Sequence, residues 1–441
     1  MSRARTPLPS RLREGLGVGK IARVTCTAAR RRPKRYRAAM RFPLTRDDAL
    51  ARLHAFVPLA GRAYAARRNH DGGPEGRATT SLLSPAIRRR LVSEAEVAAA
   101  AVAAHGFSGA EKFVQEVCWR TYWVGWLQQR PEIWTRWQAD VVRMEAMLED
   151  AGKWQRRYQS ALAGTTGIDC FDAWVHELID TGWLHNHVRM SFASIWCFTL
   201  RLPWQLGAAF FYRHLLDACP ASNTLGWRWV VGLQTAGKTY LARADLIRDL
   251  SGGRFRVEAP LAREAPPWPA DIIPPPIPPA PAMRADPTAR TGLFVTTEDC
   301  SLETLALPGN IVALAATPDI GGTPAPLKQR VAMAMLADGL ERAARRLGLE
   351  PERVDATFGV DAMRDWAARH ALTQIITADA PVGPVKDRLD VLAPALAATG
   401  VRLVRLRRAW DDVAWPHAKK GFFPFKAAIP KLLALPAGAM A

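Results

Sequence analysis

The sequence predicts a mainly α protein in which a long, all-helical domain precedes a smaller α/β domain built on a parallel sheet. Three observations predict this. Residues 44–250 repeat apolar side chains at spacings of three and four, the period of a buried helical face, and hold no convincing alternating strand. Residues 266–282, PPWPADIIPPPIPPAPA, form a stiff polyproline-like linker. Beyond it, strand-like runs alternate with helical ones, the pattern of βαβ units.

The elements follow in order. Residues 1–40 carry twelve Lys/Arg against the single acid Glu14, including RRRPKRYR at 30–37, and lack apolar periodicity. Residues 1–39 are therefore expected to be a disordered basic tail, a targeting segment or a misplaced start. The helical domain, 40–255, is punctuated by HDGGPEG (70–76), LAGTTG (162–167), RLPW (201–204) and ACPASN (218–223). Twelve of the 16 tryptophans lie between Trp119 and Trp229, more than packing alone suggests. The linker region is 256–290. In the last domain, 291–441, strands are expected at 291–297, 310–317, 372–379 and 401–407, with helices at 327–348 and 385–400, before a basic, aromatic tail. Gly321-Gly322 and Gly383 are turn signals rather than phosphate loops.

Composition narrows the function. A net charge of +19 favours a polyanionic partner, because lysine and arginine gain affinity by displacing counterions from phosphates. The six cysteines form no CxxC pair, so no zinc module, clustered iron–sulfur site, disulfide scaffold or other metal site is expected, and a reducing cytoplasm fits. The longest apolar helix candidate, 191–200, is cut off by Arg201 and Pro203, far short of the roughly 20 residues of a membrane span. A monomer is expected.

Four segments carry candidate chemistry. In TTSLLSPAIRRRL (79–91), Ser84 is a good N-cap and Pro85 suits the first helical position, so the segment is either a plain capped start or a phosphate cradle. In EKFVQEVCWRTYWVGW (111–126), Glu116 and Arg120 are four apart and share a face with Trp119; they form either a surface pair over a core indole or three sides of a planar ligand site. In DTGWLHNHVRMSFASIW (180–196), His185 and His187 are two apart, a poor spacing for a shared metal on a helix, whereas Asn186 and Arg189 share a face. That arginine either grips a ligand or is neutralised by an acid such as Asp172 or Asp180. In LLDACPASNTLGWRWVVG (215–232), Asp217, Asn223, Trp227 and Trp229 surround a loop entering a helix, fit for packing, electron transfer or base stacking.

In this order and spacing the four segments resemble the FAD-binding domain of the photolyase and cryptochrome family, over about residues 44–255. The family's TS-x-LSP motif reads Thr80 to Pro85, its E-x-x-WR helix Glu116 to Arg120, its TGW-x-HN-x-x-RM motif Thr181 to Met190, and its N-x-x-x-W turn Asn223 to Trp227. The resemblance implies FAD as cofactor. Tyr64, Thr80, Ser81, Leu82, Leu83 and Ser84 would hold its phosphates and ribityl chain, with Phe113 and Arg120 alongside. Asn186, Arg189, Asp217 and Asn223 would surround the flavin ring. Glu116, Trp119, Met190 and Trp229 would meet a flipped pyrimidine dimer, and Trp227, Trp204 and Trp154 would photoreduce the flavin. Met190 stands where relatives specific for (6-4) lesions carry histidine, which favours cyclobutane dimers.

The implied function is light-driven, FAD-dependent repair of cyclobutane pyrimidine dimers in DNA. The alternative is a cryptochrome-like photoreceptor without repair activity, and a third reading is a helical nucleic-acid-binding module that has lost FAD. The sequence departs from the family at Cys219, where a second acid is usual, and at His187, where arginine is usual. The family's α/β domain comes first, whereas here an α/β pattern follows the linker, as if the order were permuted. No antenna-chromophore site is legible.

Overall fold

A computed structural model describes residues 42–149, 152–317, 321–354 and 359–435. The expected basic tail lies outside the described residues.

The helical domain opens with α1 (Arg46–Phe56), capped by the Thr45 hydroxyl accepting from Asp48 N at 3.1 Å, and α2 (Arg62–Arg67). The short α3 (Ser84–Arg88) leads into α4 (Glu94–Gln128), which starts with a capping box between Ser93 and Glu96 and bends at Gly106, whose φ of 66° is left-handed. Then come α5 (Glu132–Glu149), α6 (Gly152–Ala163), α7 (Asp169–Thr181), α8 (Asn186–Ser194), α9 (Trp204–His214), α10 (Pro220–Val230) and α11 (Ala244–Leu250). The apolar run predicted over 191–200 is not one α-helix: α8 ends at Ser194 and continues as a buried, wider π turn over Ile195–Thr199. Among the described residues of this domain only isolated bridges, Gly72 with Gly76 and Val231 with Thr239, resemble strand pairing. No helix of the described residues is long and apolar enough to cross a membrane.

The linker has no regular element but is not a free spacer. It lies against the helical domain, with Ile277 N donating to Gln129 O at 2.9 Å and Arg130 Nε to Pro274 O at 3.1 Å. It then leads to a five-stranded parallel sheet of β1 (Thr291–Val295), β2 (Ile311–Ala316), β3 (Pro351–Arg353), β4 (Gln374–Ala378) and β5 (Arg402–Leu406), in the order β3-β2-β1-β4-β5. Helices α12 (Pro326–Leu347), α13 (Val360–Arg369) and α14 (Pro384–Ala397) make the crossovers. The sequence reading did not name β3, which is only three residues long, or the ten-residue α13. After β5 the chain returns along α4 as α15 (Ala409–Ala414), α16 (Phe422–Lys426) and α17 (Ile429–Leu433).

The two domains share one buried core cluster, which runs from Leu53 and Trp227 to Val295, Trp415 and Phe425. In open parallel sheets the crevice beyond the strands' carboxyl ends is the usual ligand position. Here that edge is docked on the helical domain: Cys300 N donates to Arg89 O at 2.8 Å and Val382 N to Gln128 Oε1 at 2.7 Å. A residual space of about 10 Å³ remains between Arg88, Arg120, Cys219 and Val382, too small for a chromophore. Gly383 serves a turn, as expected from sequence, capping α14 against Pro220.

Candidate functional site

The four segments meet. α4, α8 and α10 wall a cavity of about 380 Å³ lined by Glu116, Trp119, Arg120, Asn186, Arg189, Met190, Asn223, Trp227 and Trp229, with Trp123, Phe211 and Val230 among its apolar sides. Flat apolar walls with a few converging polar groups suit a planar heteroaromatic ligand. A larger groove of about 1000 Å³ between α12 and β3 is mostly aliphatic and holds none of these groups.

One network ties three motifs together beneath this cavity. Arg189 grips Asp217 with both terminal nitrogens at 3.0 and 2.8 Å, and its Nε donates to Leu184 O at 2.9 Å. Asp217 also accepts from the Ser84 hydroxyl at 2.6 Å, and that hydroxyl accepts from Trp183 Nε1 at 3.0 Å. Trp183 in turn lies under two guanidinium groups, Arg77 at 4.2 Å and Arg189 at 5.8 Å. Arg189 is thus neutralised by Asp217 and not by the expected Asp172, which closes the Thr166–Gly167 turn. Ser84 is not the N-cap: Leu83 occupies that position without a side-chain bond, which frees the hydroxyl for Asp217.

Other predicted residues take distinct places. Glu116 is bound not by Arg120 but by Arg68 at 2.7 Å and the Tyr64 hydroxyl at 3.2 Å, while Arg120 pairs with the buried Glu94 at 3.3 Å. Tyr64 and Phe113 pack edge to face at 5.1 Å outside the cavity lining. Thr80 donates to Arg77 O at 3.3 Å, Ser81 Oγ accepts from Leu83 N at 3.4 Å, and Leu82 holds a left-handed φ of 57° with its side chain buried. Asn223 is fixed by Nδ2 donating to Ala208 O at 2.8 Å, and Cys219 Sγ, at the usually acidic position, caps α10 by accepting from Ser222 N at 3.3 Å. Helix α8 begins after His185, whose Nδ1 accepts from His187 N at 3.2 Å, so the two rings do not share a helical face; burial pushes the His185 imidazole down to about 4.

Sequence reasoning missed Trp183, Arg68 and Trp196. The first two find their partners 99 and 48 residues away, beyond any local pattern. The Trp227 ring meets Trp196 at 6.2 Å, and Trp196 meets Tyr158 at 6.0 Å, whereas Trp204 lies under Arg228 and Trp154 is 40% exposed. Trp196 ends the 180–196 segment, and it is the fold that brings it against Trp227.

The donor set fits a flavin. Arg120 Nε is buried with no partner among the described residues while Arg120 faces the cavity, and the Asn186 amide is exposed there. Residues 113–249 match the family model for the FAD binding domain of DNA photolyase. The chain is similar to the deoxyribodipyrimidine photo-lyase of Streptomyces griseus, 32% identical over 43% of this chain and 42% of that protein. It is also similar to one from Thermus thermophilus, 33% identical over 51% of each. A cryptochrome structure from Synechocystis sp. PCC6803 matches 49% of this chain and 45% of that one at 21% identity, with a TM-score of 0.41. The chain thus spans about half or less of these relatives. Within its helical region, residues 113–249 are similar to the FAD-binding domain of these proteins. The likeness to the DNA photolyases lies in that domain.

Proposed function

We propose that the protein uses light and FAD to split cyclobutane pyrimidine dimers in DNA. The observation that carries this reading is the convergence of Glu116, Trp119, Met190, Asn223 and Trp229 on the cavity that Asn186, Arg189 and Trp227 also line. Splitting the dimer needs an electron lent and returned, chemistry that FAD supplies when bound and ordinary side chains do not.

The chain's own residues do the rest. The Arg189–Asp217–Ser84 network orients the polar groups around the ring site, and the Asn186 and Asn223 amides offer donors and acceptors to its edges. Thr80 to Ser84 follow as the phosphate-side segment. A lesion extruded from a duplex meets the Trp119 and Trp229 indoles, which hold its rings by stacking. Glu116, fixed by Arg68 and Tyr64, presents its carboxylate to the lesion's polar edge. Trp227 is the first internal donor for restoring the flavin, with Trp196 and Tyr158 next in ring contact, beside Trp204 and Trp154. DNA is the partner and the cytoplasm the expected compartment, with the protein acting as a monomer. The α/β domain stands in for the leading domain of ordinary relatives, in permuted order.

The test is blue-light illumination of purified, flavin-loaded protein with ultraviolet-irradiated DNA. Dimer loss is expected for the native chain, and Glu116→Ala is expected to keep its flavin yet repair several-fold less. A flavin-loaded protein that leaves dimers intact would point to a light receptor, and a chain without flavin absorbance to a nucleic-acid-binding module.

A further inference from the structure

The basic, aromatic segment after β5 is absent from the roles above, yet it reaches the rim of the cavity. The Phe422 ring stacks on Trp119 at 3.9 Å with the planes 11° apart, and meets the edge of Tyr122 at 5.5 Å. Trp119 also lines the cavity, so Phe422 holds the indole from outside it. The segment is firmly tied to α4. Tyr122 OH donates to Lys420 O at 2.9 Å, Arg130 to Lys419 O at 2.7 Å, Gln129 to Trp415 O at 2.7 Å, and Lys426 pairs with Glu111 at 2.8 Å.

What this scaffold presents outward is one ring and two free cations. Phe423, next in chain to the Trp119 buttress, is 85% exposed, the most open of the exposed large apolar side chains among the described residues. Lys419 and Lys420 spend only their backbone carbonyls on α4 and leave their side chains in solvent. Residues 413–435 hold four lysines and no acid. A phenylalanine this open, on a rigid, cationic rim beside the stacking wall, is complementary to a ligand that is both anionic and aromatic.

We infer that residues 419–423 form a duplex-DNA contact in which Phe423 enters the stack where the extruded lesion has left a gap, while Lys419 and Lys420 hold the flanking phosphates. This rests on the repair reading. Apolar side chains wedged between base steps, with lysines on the backbone, are a known physical solution to holding a distorted duplex.

The experiment measures binding of the flavin-loaded full chain to a duplex with one cyclobutane dimer, to the undamaged duplex, and to a single strand with the same dimer. Phe423→Ala is expected to retain its flavin and lose on the order of tenfold of its preference for the damaged duplex, the worth of one stacked base, with the single strand nearly unchanged. Lys419→Ala with Lys420→Ala should weaken both duplexes alike and reduce the salt slope by about 2. Undiminished duplex preference in Phe423→Ala overturns the inference, as does a concentration-dependent dimer of the native chain that Phe423→Ala abolishes. A native chain with no preference for damaged DNA sinks the repair reading instead. The surface is then judged on undamaged duplex, where the double lysine variant sustains it by losing affinity and overturns it by matching the native chain.

Discussion

The cavity and the seam between the domains are built from the same side chains, arginine and carboxylate, to opposite effect. At the seam the arginines of the α3 segment point into the α/β domain and are saturated. Arg88 takes both oxygens of Glu298 at 2.7 and 2.8 Å, Arg408 takes both oxygens of Asp299 at 2.7 and 2.8 Å, and Arg90 pairs with Asp411. Burial works against the Glu298 charge, but Arg88 and Arg89 hold its carboxyl down to about 2. At the cavity Arg120 has a nitrogen to spare, Asn186 is open, and Glu116 is partly exposed. Paired arginines and carboxylates join the two domains at the seam, whereas the cavity keeps an arginine nitrogen and an amide open to a ligand.

The contrast breaks most clearly at the seam. Glu298→Ala leaves Arg88 buried without its partner and is expected to lower stability by about 3–5 kcal/mol in denaturant unfolding. Glu116→Ala, whose partner Arg68 can turn to water, should cost less than about 1 kcal/mol. Equal losses would erase the distinction between the two regions.

An intermediate effect is expected where the cavity's foundation is saturated too. Asp217→Ala removes the acceptor of both Ser84 and Arg189, so stability should fall by about 1–3 kcal/mol and flavin absorbance per protein should drop after gel filtration. Asp217→Asn, which keeps an acceptor, should recover part of both. Full flavin retention by Asp217→Ala would remove this network from the binding site.

The sequence carried the pattern of this architecture better than its contacts. The helical region, four of the five strands and the convergence of Glu116, Arg189, Asn223 and Trp227 were legible, because helical period, βαβ alternation and ordered motifs are local signals. The pairings of Arg189 with Asp217, Glu116 with Arg68 and Arg88 with Glu298 were not, since they bridge 28, 48 and 210 residues. Nor was the role of Arg88, Arg89 and Arg90, which are buried against acids that follow β1. The linker reads as a spacer because proline content reports stiffness, not what the stiff segment lies against.

The remaining expected effect is a pH dependence and concerns His185, at the start of the α8 segment that carries Asn186 and Arg189. Burial of the ring disfavours its charged form by more than Asp71 favours it, and His187 and Arg189 add repulsion, so the folded imidazole titrates at about 4 rather than near 6.5. The unfolded chain takes up this proton first. Stability attributable to His185 is therefore fully present above pH 6.5 and is lost as the pH falls from 6.5 towards 4. His185→Asn keeps a side-chain acceptor for the His187 N–H at the helix start but cannot be protonated. His214, also held down to about 4 by burial, still titrates in the same window, so the variant's denaturation midpoint should fall less steeply than the native chain's between pH 7 and 4.5, not become flat. Identical slopes would mean that the His185 ring is already open to solvent, and with it the floor beneath Asn186.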